Sequence, residues 1–398
     1  MALNMTTDYD VILVGGGLAN GLIALRLIQM RPALRIAVLE SGPRLGGNHT
    51  WSFHEPDLTP EQLAWLEPLI VHQWDGYDIR FPDRSRTFSS RYLSVTSTRF
   101  HDVIHRELGS GSFLGCDVVD LSPRQVTTRD GRTLSAALVI DGRGPRATEA
   151  LVLGFQNFLG QEWRLTRPHG VARPIIMDAT VAQGDGYRFV YVLPLAPDRL
   201  LIEDTHYVDD QHISVDTLRA HIGAYMRDQG WEGQALCREE QGSLPIVLAG
   251  DIQQLLDACD PTPCVGLRAA QFHQTTGYSL PHAVALTEHI AAMPTLDSEQ
   301  VNRAIRETMM TDWQDQRFYR LLNRMLFLAG QPHERWRVMQ RFYGLGAPLI
   351  ERFYARRLTV SDKMRILAGK PPVPVLQAMR AARRTHPRHF KKVDAYGS

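Results

Sequence analysis

The chain has 398 residues, enough for two or three domains and a large core. Its formal net charge of +1 predicts no general affinity for nucleic acid. Its four cysteines, Cys116, Cys237, Cys259 and Cys264, lack metal-ligand spacing, which predicts reduced thiols in a cytoplasmic protein and no metal site. The first eight residues lack the basic and apolar regions of a secretion signal, and no segment predicts a membrane span.

The first predicted element is a strand–helix–strand unit of the kind that binds a dinucleotide. An apolar run from Val11 to Val14 is followed by a glycine cluster, a helix and a second apolar run that ends at Glu40. Gly15 allows the sharp turn out of the strand, and Gly17 allows the backbone to approach a pyrophosphate. We expect Glu40 to accept a hydrogen bond from a ribose hydroxyl. The alternative is a tight turn in some other α/β protein.

The helix of this unit departs from the usual glycine fingerprint. Leu18 and Ala19 begin the helix, whose unpaired N–H groups and dipole point at the phosphate site. Asn20 replaces the third glycine of the G-x-G-x-x-G pattern, and the glycine follows one residue later, at Gly21. We therefore expect this segment to contact the cofactor, with slightly altered packing of helix on strand.

A second glycine-rich segment follows the acid at residue 40. In flavoproteins of the large two-dinucleotide-fold group, a Gly-Gly pair in this position follows the pyrophosphate and ribityl chain of the cofactor. The alternative is an ordinary glycine-rich loop. The candidate cofactor contacts here are Arg44, Gly46, Gly47, Asn48 and His49.

The middle of the chain alternates between polar and apolar residues. Residues 97–108 predict an amphipathic helix, and residues 112–140 predict a small antiparallel meander. The meander ends in an apolar strand that runs into Asp141 and Gly142. This resembles the strand that closes the cofactor sheet in flavoprotein hydroxylases, so both residues are candidate cofactor contacts.

The clearest hairpin in the sequence carries two adjacent acids. Residues 187–195 and 200–207 predict two strands joined by a proline-containing turn. Because side chains alternate along a strand, Glu203 and Asp204 point to opposite faces, and at most one of them faces the main cavity. The alternative for Glu203 is a surface acid on an edge strand.

A later segment, residues 264–284, predicts a strand, a glycine-rich loop and a helix. Flavoproteins normally carry Gly-Asp here, whereas Gly266 is followed by Leu267. Gly266 and the triplet Thr276, Gly277 and Tyr278 are candidate contacts for the flavin.

From about residue 297 the pattern becomes helical. Between Arg317 and Arg357 there are nine arginines, two glutamates and many aromatic residues. One interpretation is a helical cap with a solvated basic face. The other is a membrane-surface patch, in which arginines contact anionic headgroups and aromatic rings lie at the interface.

The elements together predict a mixed α/β (α+β) fold of the flavoprotein hydroxylase-like group. A discontinuous Rossmann-type FAD-binding domain is expected at residues 1–70, 97–150 and 240–296. A substrate-binding β-sheet domain is expected at residues 71–96 and 151–239. The remaining residues, 297–398, are expected to form a helical C-terminal region and a candidate membrane-facing cap.

Four motifs, in this order along the chain, carry a resemblance to the bacterial lycopene β-cyclases. They are residues 14–21 (VGGGLANG), 46–53 (GGNHTWSF), 201–206 (LIEDTH) and 274–278 (QTTGY). The third motif is the most specific, because it is similar to the acidic Phe-Leu-Glu-Glu-Thr motif of the plant cyclases. The resemblance extends over essentially the whole chain.

The resemblance implies an isomerase that closes the ψ ends of lycopene into β-ionone rings, giving β-carotene through γ-carotene. It implies a requirement for reduced FAD without net redox change, with NADPH or NADH as the electron source. Glu203 matches the acid that the family is thought to use in catalysis, and Asp204 matches the second acid. Lycopene and related carotenoids, a peripheral membrane location and association with other carotenoid enzymes are implied as well.

The residues can supply this chemistry. Protonating an unactivated alkene requires a carboxylic acid that is still neutral near pH 7. Such an acid must be desolvated among apolar groups, because burial raises its pKa. Glu203 has apolar neighbours on its strand. The alternatives on the same fold are a flavin-dependent reductase or monooxygenase that acts on an isoprenoid. A flavin-binding redox sensor without turnover is a third hypothesis.

Overall fold

The computed structural model describes residues 7–211, 213–369 and 372–390. The outer limits of the first and last predicted domains, at residues 1 and 398, lie outside these ranges. The strands are β1 Tyr9–Val14, β2 Ile36–Glu40, β3 Thr50–His54, β4 His72–Trp74, β5 Tyr77–Phe81, β6 Arg84–Phe88, β7 Tyr92–Thr96, β8 Ser112–Leu114, β9 Val118–Ser122, β10 Gln125–Thr128, β11 Thr133–Asp141, β12 Leu151–Leu165, β13 Ile175–Asp178, β14 Tyr187–Ala196, β15 Arg199–Val208 and β16 Gly233–Gly250.

The α-helices alternate with these strands in the first 300 residues and then follow one another. They are α1 Leu18–Met30, α2 Pro60–Leu66, α3 Ser97–Leu108, α4 Val215–Asp228, α5 Ile252–Asp257, α6 Leu280–Ala292, α7 Ser298–Asp315, α8 Arg317–Leu328, α9 Arg335–Phe342, α10 Ala347–Tyr354, α11 Val360–Leu367 and α12 Val375–Ala382. Within the described ranges, no helix combines the length and the apolar character needed to cross a bilayer.

The first sheet has the strand order β8-β2-β1-β11-β10-β9. β1 lies parallel to both β2 and β11, and Val14 at its end pairs with Asp141 at the end of β11. One face of the sheet, with Val11 and Leu13, packs against α1, α3 and α6. The parallel strands and the crossover helix confirm the predicted Rossmann-type unit. Of the antiparallel meander predicted at residues 112–140, β9, β10 and β11 are confirmed, but the prediction is wrong for β8, which pairs parallel with β2 at the other edge of the sheet.

The second sheet has seven strands in the order β16-β12-β15-β14-β13-β5-β6. The predicted hairpin at 187–207 is confirmed as β14 and β15, which pair antiparallel. One face of this sheet packs against side chains from α8, α9 and α10, and the other face is covered by α4. β15 lies between β12 and β14, so it is an interior strand, and the alternative of an edge position for Glu203 is wrong.

β16 connects the two halves of the molecule. This strand of 18 residues pairs with β12 along its whole length and continues across the limit predicted at residues 239/240. After β16 the chain returns to the first sheet, where Cys264 forms an isolated parallel bridge with Asp141. The strand predicted to begin at Cys264 is therefore absent among the described residues of that segment, because a 3₁₀ helix, Gly266–Ala269, follows at once.

Gly21 is a packing residue between two helices. A Cβ atom at this position of α1 would lie 2.2 Å from Cζ of Phe100, which is fully buried in α3. The displaced third glycine of the fingerprint therefore lets α1 approach α3.

We predict that Gly21→Ala destabilises the protein by about 1–3 kcal/mol, because the added methyl group overpacks the contact with Phe100. The matched control is Gly223→Ala in α4, where the new Cβ would meet only Arg227 Nη1 at an ordinary 3.5 Å. The control should stabilise the protein by up to about 1 kcal/mol through its higher helix propensity. Urea unfolding of both variants measures the difference, and equal effects would contradict the packing role.

Candidate active site

One cavity of about 610 Å³ extends from the glycine loop after β1 to the seven-stranded sheet. Most of the residues predicted from the sequence line it. These are Gly15, Gly17, Leu18, Ala19, Glu40, Gly46, Gly47, His49, Gly142, Glu203, Gly266, Thr276, Gly277 and Tyr278. Five predicted residues lie outside the lining: Gly21, Arg44, Asn48, Asp141 and Asp204.

The first part of the glycine loop is held by contacts that leave no room for a side chain at Gly15. Gly15 has a φ of +90°, and a Cβ there would lie 2.7 Å from the carbonyl oxygen of Gly142. The Asn20 side-chain amide donates to the carbonyl oxygens of Val14, at 2.9 Å, and Gly15, at 2.8 Å. Asn20 thus fixes the turn. The sequence analysis missed this role, although a lone polar residue among apolar helix positions was a signal.

Glu40 shapes the loop as well as facing the cavity. Its carboxylate accepts hydrogen bonds from the backbone N–H groups of Gly16 and Gly42, each at 2.7 Å. Gly17 has an ordinary φ of −72°, and a Cβ there would have open space within 4 Å. The first turn of α1 and this open space fit the phosphates and ribose of a dinucleotide.

The segment after Glu40 divides into inward and outward residues. Gly46 donates its N–H to the carbonyl oxygen of Gly16 at 2.8 Å, which joins the two glycine loops. Arg44 points outward and forms an ion pair with Asp102 at 3.3 Å, with both side chains about half exposed. Asn48 donates to the backbone carbonyl of Glu239 at 2.7 Å. Arg44 and Asn48 therefore contact other protein groups outside the cavity wall.

Asp141 is buried beside the cavity. Its carboxylate forms ion pairs with Arg143 at 2.9 Å and with Arg268 at 3.5 Å. These residues line a smaller neighbouring cleft, whereas the adjacent Gly142 lines the main cavity. Asp141 therefore positions Arg143, which lines both spaces.

The other end of the cavity is formed by a row of paired residues in the second sheet. Glu203 pairs with Tyr191 on one side and with Gly160 on the other, and Gly160 pairs in turn with Glu240. Directly paired residues share a face. The row Tyr191, Glu203, Gly160 and Glu240 therefore faces the cavity from four adjacent strands, and three of these four residues line it.

Glu203 has the environment of a neutral acid. Burial raises the pKa of Glu203 to about 8, with a further contribution from the charge of Glu240. Thr205, on the same face, donates its hydroxyl to Glu203 Oε1 at 2.7 Å. The accessible part of the Glu203 side chain faces the cavity. At neutral pH this carboxyl group is protonated and can deliver a proton into the cavity.

Asp204 faces the opposite side of the sheet, as strand alternation predicts. Its carboxylate pairs with Arg188 at 2.7 Å, with His206 at 2.8 Å and with His221 of α4 at 2.8 Å. Burial raises the pKa of Asp204, but hydrogen bonds and charges from His206 and Arg188 outweigh burial and hold it below its usual value. Asp204 is therefore a buried anion behind the strand that carries Glu203.

Aromatic side chains form much of the cavity wall. Tyr92 exchanges hydrogen bonds with the hydroxyls of Tyr191, at 3.1 Å, and Tyr278, at 2.9 Å, and Tyr191 donates to Ser52 at 2.9 Å. The faces of such rings attract cations. The aromatic residues of the lining are Trp51, Tyr92, Phe158, Phe189, Tyr191, Tyr207, Tyr278 and Tyr354.

The arginine-rich stretch is in large part internal. Arg320, Arg324 and Arg335 are buried, and they donate to backbone carbonyls of Trp313, Leu248 and Leu326 among other groups. The interpretation of residues 317–357 as one basic membrane patch is therefore wrong for these three arginines. The large apolar side chains exposed in the C-terminal region lie instead on α11 and α12: Val360, Met364, Leu367, Val375, Leu376 and Met379.

Comparisons with known proteins agree with this architecture. The chain is 53% identical over 382 residues to a lycopene beta-cyclase of Pantoea ananas, covering 96% of this chain and all of that protein. It is 55% identical over 373 residues to a lycopene beta-cyclase of Pseudescherichia vulneris, covering 94% of this chain and 97% of that protein.

The fold is also that of solved flavin-dependent enzymes. Xcc4156, a flavin-dependent halogenase from Xanthomonas campestris, superposes with a TM-score of 0.57 at 10% identity, covering 96% of this chain and 90% of that chain. The family model described as "Lycopene cyclase protein" matches residues 10–380. Because this family model matches nearly the whole chain, the chain belongs to the lycopene cyclase family.

Proposed function

We propose that the protein is a lycopene β-cyclase, an isomerase that closes the ψ ends of lycopene and related carotenoids into β-ionone rings without net redox change. The observation that carries the proposal is Glu203. It is a carboxyl group with a pKa of about 8 in an aromatic-lined cavity that is continuous with a dinucleotide-binding loop. Lycopene would pass through γ-carotene to β-carotene.

Glu203 is the proton donor in this proposal. It protonates the terminal alkene, which leaves a tertiary cation, and the neighbouring double bond attacks that cation to close the ring. Loss of a ring proton then forms the β double bond. The faces of Tyr191, Phe189 and Trp51 stabilise the cation, and the apolar wall excludes water that would capture it.

The loop residues hold FAD in this proposal. Gly15, Gly17 and the first turn of α1 would bind the pyrophosphate, Glu40 would bind the ribose, and the segment 276–278 would contact the flavin ring. When bound and reduced by NADPH or NADH, FAD would supply negative charge that stabilises the cation. The glycine cradle described above has the space and the N–H donors for such a group.

Asp204 is a positioning residue in this proposal. It contacts Arg188, His206 and His221 on the side of the sheet away from the cavity, so it does not reach a substrate there. Its contacts with Arg188 and His221 fasten β15 to β14 and α4, and thereby fix the direction in which Glu203 points.

We predict that Gly17→Val abolishes FAD retention in a folded protein. The backbone at this position tolerates any residue, and the new side chain would project into the open space where the phosphates bind. Flavin absorbance of the purified protein measures the effect. Gly184→Val, at an exposed glycine that also has open space, is the control and should keep normal FAD content. Normal FAD content in Gly17→Val would contradict the proposal that the loop around Gly17 binds the pyrophosphate of FAD.

We predict that Glu203→Gln lowers ring closure by about 100-fold or more, the usual contribution of a positioned general acid, while FAD binding survives. Anaerobic assays with lycopene and chemically reduced FAD, read by product mass and spectrum, measure this. In deuterated water the wild-type product should carry one deuterium per ring.

Because the protonated form of Glu203 predominates below pH 8, wild-type turnover should fall as the pH rises through about 8, roughly tenfold per pH unit.

The same assay separates cyclisation from the alternatives. A reductase adds two hydrogens and a monooxygenase consumes oxygen, whereas a cyclase leaves the substrate mass unchanged. Label from deuterated NADPH that appears in the product would overturn the cyclase proposal. A redox sensor would take up FAD and form no product from any polyene.

We further propose that the protein docks on anionic membranes through α11 and α12. The exposed apolar side chains of these helices are bordered by exposed arginines, namely Arg365, Arg380, Arg383, Arg384 and Arg388. The one acidic residue between Val360 and Phe390 is Asp362, which is paired with Arg352. This apolar and basic surface is complementary to a bilayer with anionic headgroups. Because lycopene stays in lipid, enzymes that make or use it would meet this protein there.

We predict that Leu376→Ser combined with Met379→Ser weakens binding to vesicles with anionic lipid by about tenfold or more, because each apolar side chain loses its burial in the interface. The control pair is Val119→Ser with Leu236→Ser, two exposed apolar residues on β9 and β16. Sedimentation with vesicles at low and high salt measures the binding, and salt should weaken it for the wild type. Equal binding of both pairs would rule out α12 as the docking surface.

A further inference from the structure

A second carboxyl group faces Glu203 across a gap in the sheet. Gly160 of β12 pairs with Glu203 on one side and with Glu240 of β16 on the other. The two acids thus occupy the same row. Their Cα atoms are separated by two strand spacings of about 4.8 Å each, which is about 10 Å. Because Gly160 has no side chain, no group of the central strand stands between them.

Glu240 leans over this gap. A Cβ atom at Gly160 would lie 3.1 Å from Cγ and 3.3 Å from Oε1 of Glu240. The side chain therefore extends across the central strand, toward Glu203. The Glu240 side chain is buried, and it lines the same cavity as Glu203.

The two acids have different partners. Glu240 Oε2 is bound by Arg238, and Thr50 donates to the same oxygen at 3.4 Å. Arg238 is in turn held by Asn48 and by Thr50. The partner described for Glu203 is the neutral hydroxyl of Thr205. A neighbouring cation favours the ionised form of one acid, and burial without a cation favours the neutral form of the other.

We propose that Glu240 is a second catalytic carboxylate, which removes the ring proton after Glu203 has protonated the substrate. The inference rests on the cyclase function proposed above. The pair then consists of an acid and a base that face one reacting group, with Arg238 keeping Glu240 ionised. Burial raises the pKa of Glu240 above its ordinary value, while the charge of Arg238 and the hydrogen bonds from Arg238 and Thr50 limit this rise. The negative charge of Glu240 in turn helps to keep Glu203 protonated.

The proton balance closes, because one proton enters the substrate from Glu203 and one leaves it to Glu240. The O–H bond of Glu203 breaks as a C–H bond forms at the terminal alkene, and the next double bond forms the new C–C bond. A C–H bond beside the ring cation then breaks, its electrons become the ring double bond, and the proton moves to Glu240. Glu240 then releases that proton to solvent and Glu203 takes up a proton from solvent, which restores both acids for the next ring. No oxidant or reductant is consumed.

The test compares Glu240→Gln with Glu239→Gln. Glu239 precedes Glu240 on β16 and belongs to the opposite face, where its carboxylate pairs with Arg219. We expect the rate of β-ring formation to fall by about 100-fold or more in Glu240→Gln and to stay near the wild-type rate in Glu239→Gln. We also expect ring isomers with the double bond elsewhere, because the ring cation loses a proton from another neighbouring carbon when its base is missing. A rate and product pattern equal to those of Glu239→Gln would overturn the proposal.

A second pair of experiments separates catalysis from folding. In Glu240→Gly, added formate should restore β-ring formation, because a small carboxylate can occupy the space of the lost side chain; failure of formate to raise the rate would count against a base at this position. Gly160→Ala keeps both acids but displaces Glu240, and it should change the ratio of ring isomers with normal FAD content. If Glu240→Gln fails to fold, an unchanged isomer ratio in Gly160→Ala overturns the proposal. A wild-type protein that forms no rings would instead refute the cyclase function itself.

Discussion

A carboxyl group stays protonated near neutral pH only where water is scarce and no cation is close, and the fold provides both conditions at Glu203. β15 lies inside a seven-stranded sheet, so its backbone polar groups are paired with β12 and β14. The Glu203 side chain enters a cavity closed by aromatic rings, and its described hydrogen bond comes from a neutral hydroxyl. The long pairing of β12 with β16 is part of the same condition, because it brings the charge of Glu240 near.

Because side chains alternate along β15, Asp204 and its partners lie on one face of the sheet and Glu203 lies on the other. Asp204, one residue from Glu203, is surrounded by Arg188, His206 and His221, so it is a stable anion. If the guanidinium of Arg188 faced the cavity, it would favour the ionised form of Glu203 and remove its capacity as an acid. Two adjacent acids of similar chemistry thus have opposite protonation states, and the reason is the side of the sheet on which each one lies.

Local patterns predicted the fold and the lining of the site better than the contacts within it. The βαβ unit around Gly15 and the hairpin that carries Glu203 depend on neighbours in sequence, and both were predicted. The role of Glu240 was not predicted, because it depends on the pairing of Gly160 in β12 with Glu240 in β16, about 80 residues later in the chain. The burial of Arg320 was missed for a related reason. A basic residue is expected to be exposed unless the groups that accept its hydrogen bonds in the folded protein are known.

The second sheet is also where chemistry can diverge on a shared fold. The overall fold recurs in structures as distant as a flavin-dependent halogenase at 10% identity, so the fold says little about the reaction. A reaction through a carbocation additionally requires walls that attract a cation but do not capture it. In this cavity the hydroxyls of Tyr92, Tyr191 and Tyr278 are engaged with one another and with Ser52.

Burial holds the pKa of each of these tyrosines well above its ordinary value, so the oxygens stay neutral and are poor nucleophiles. All three rings line the cavity, and aromatic rings attract positive charge. The tyrosine network therefore supplies the attraction of aromatic rings without the reactivity of phenolate oxygens, which is the property that a cationic intermediate demands of its surroundings.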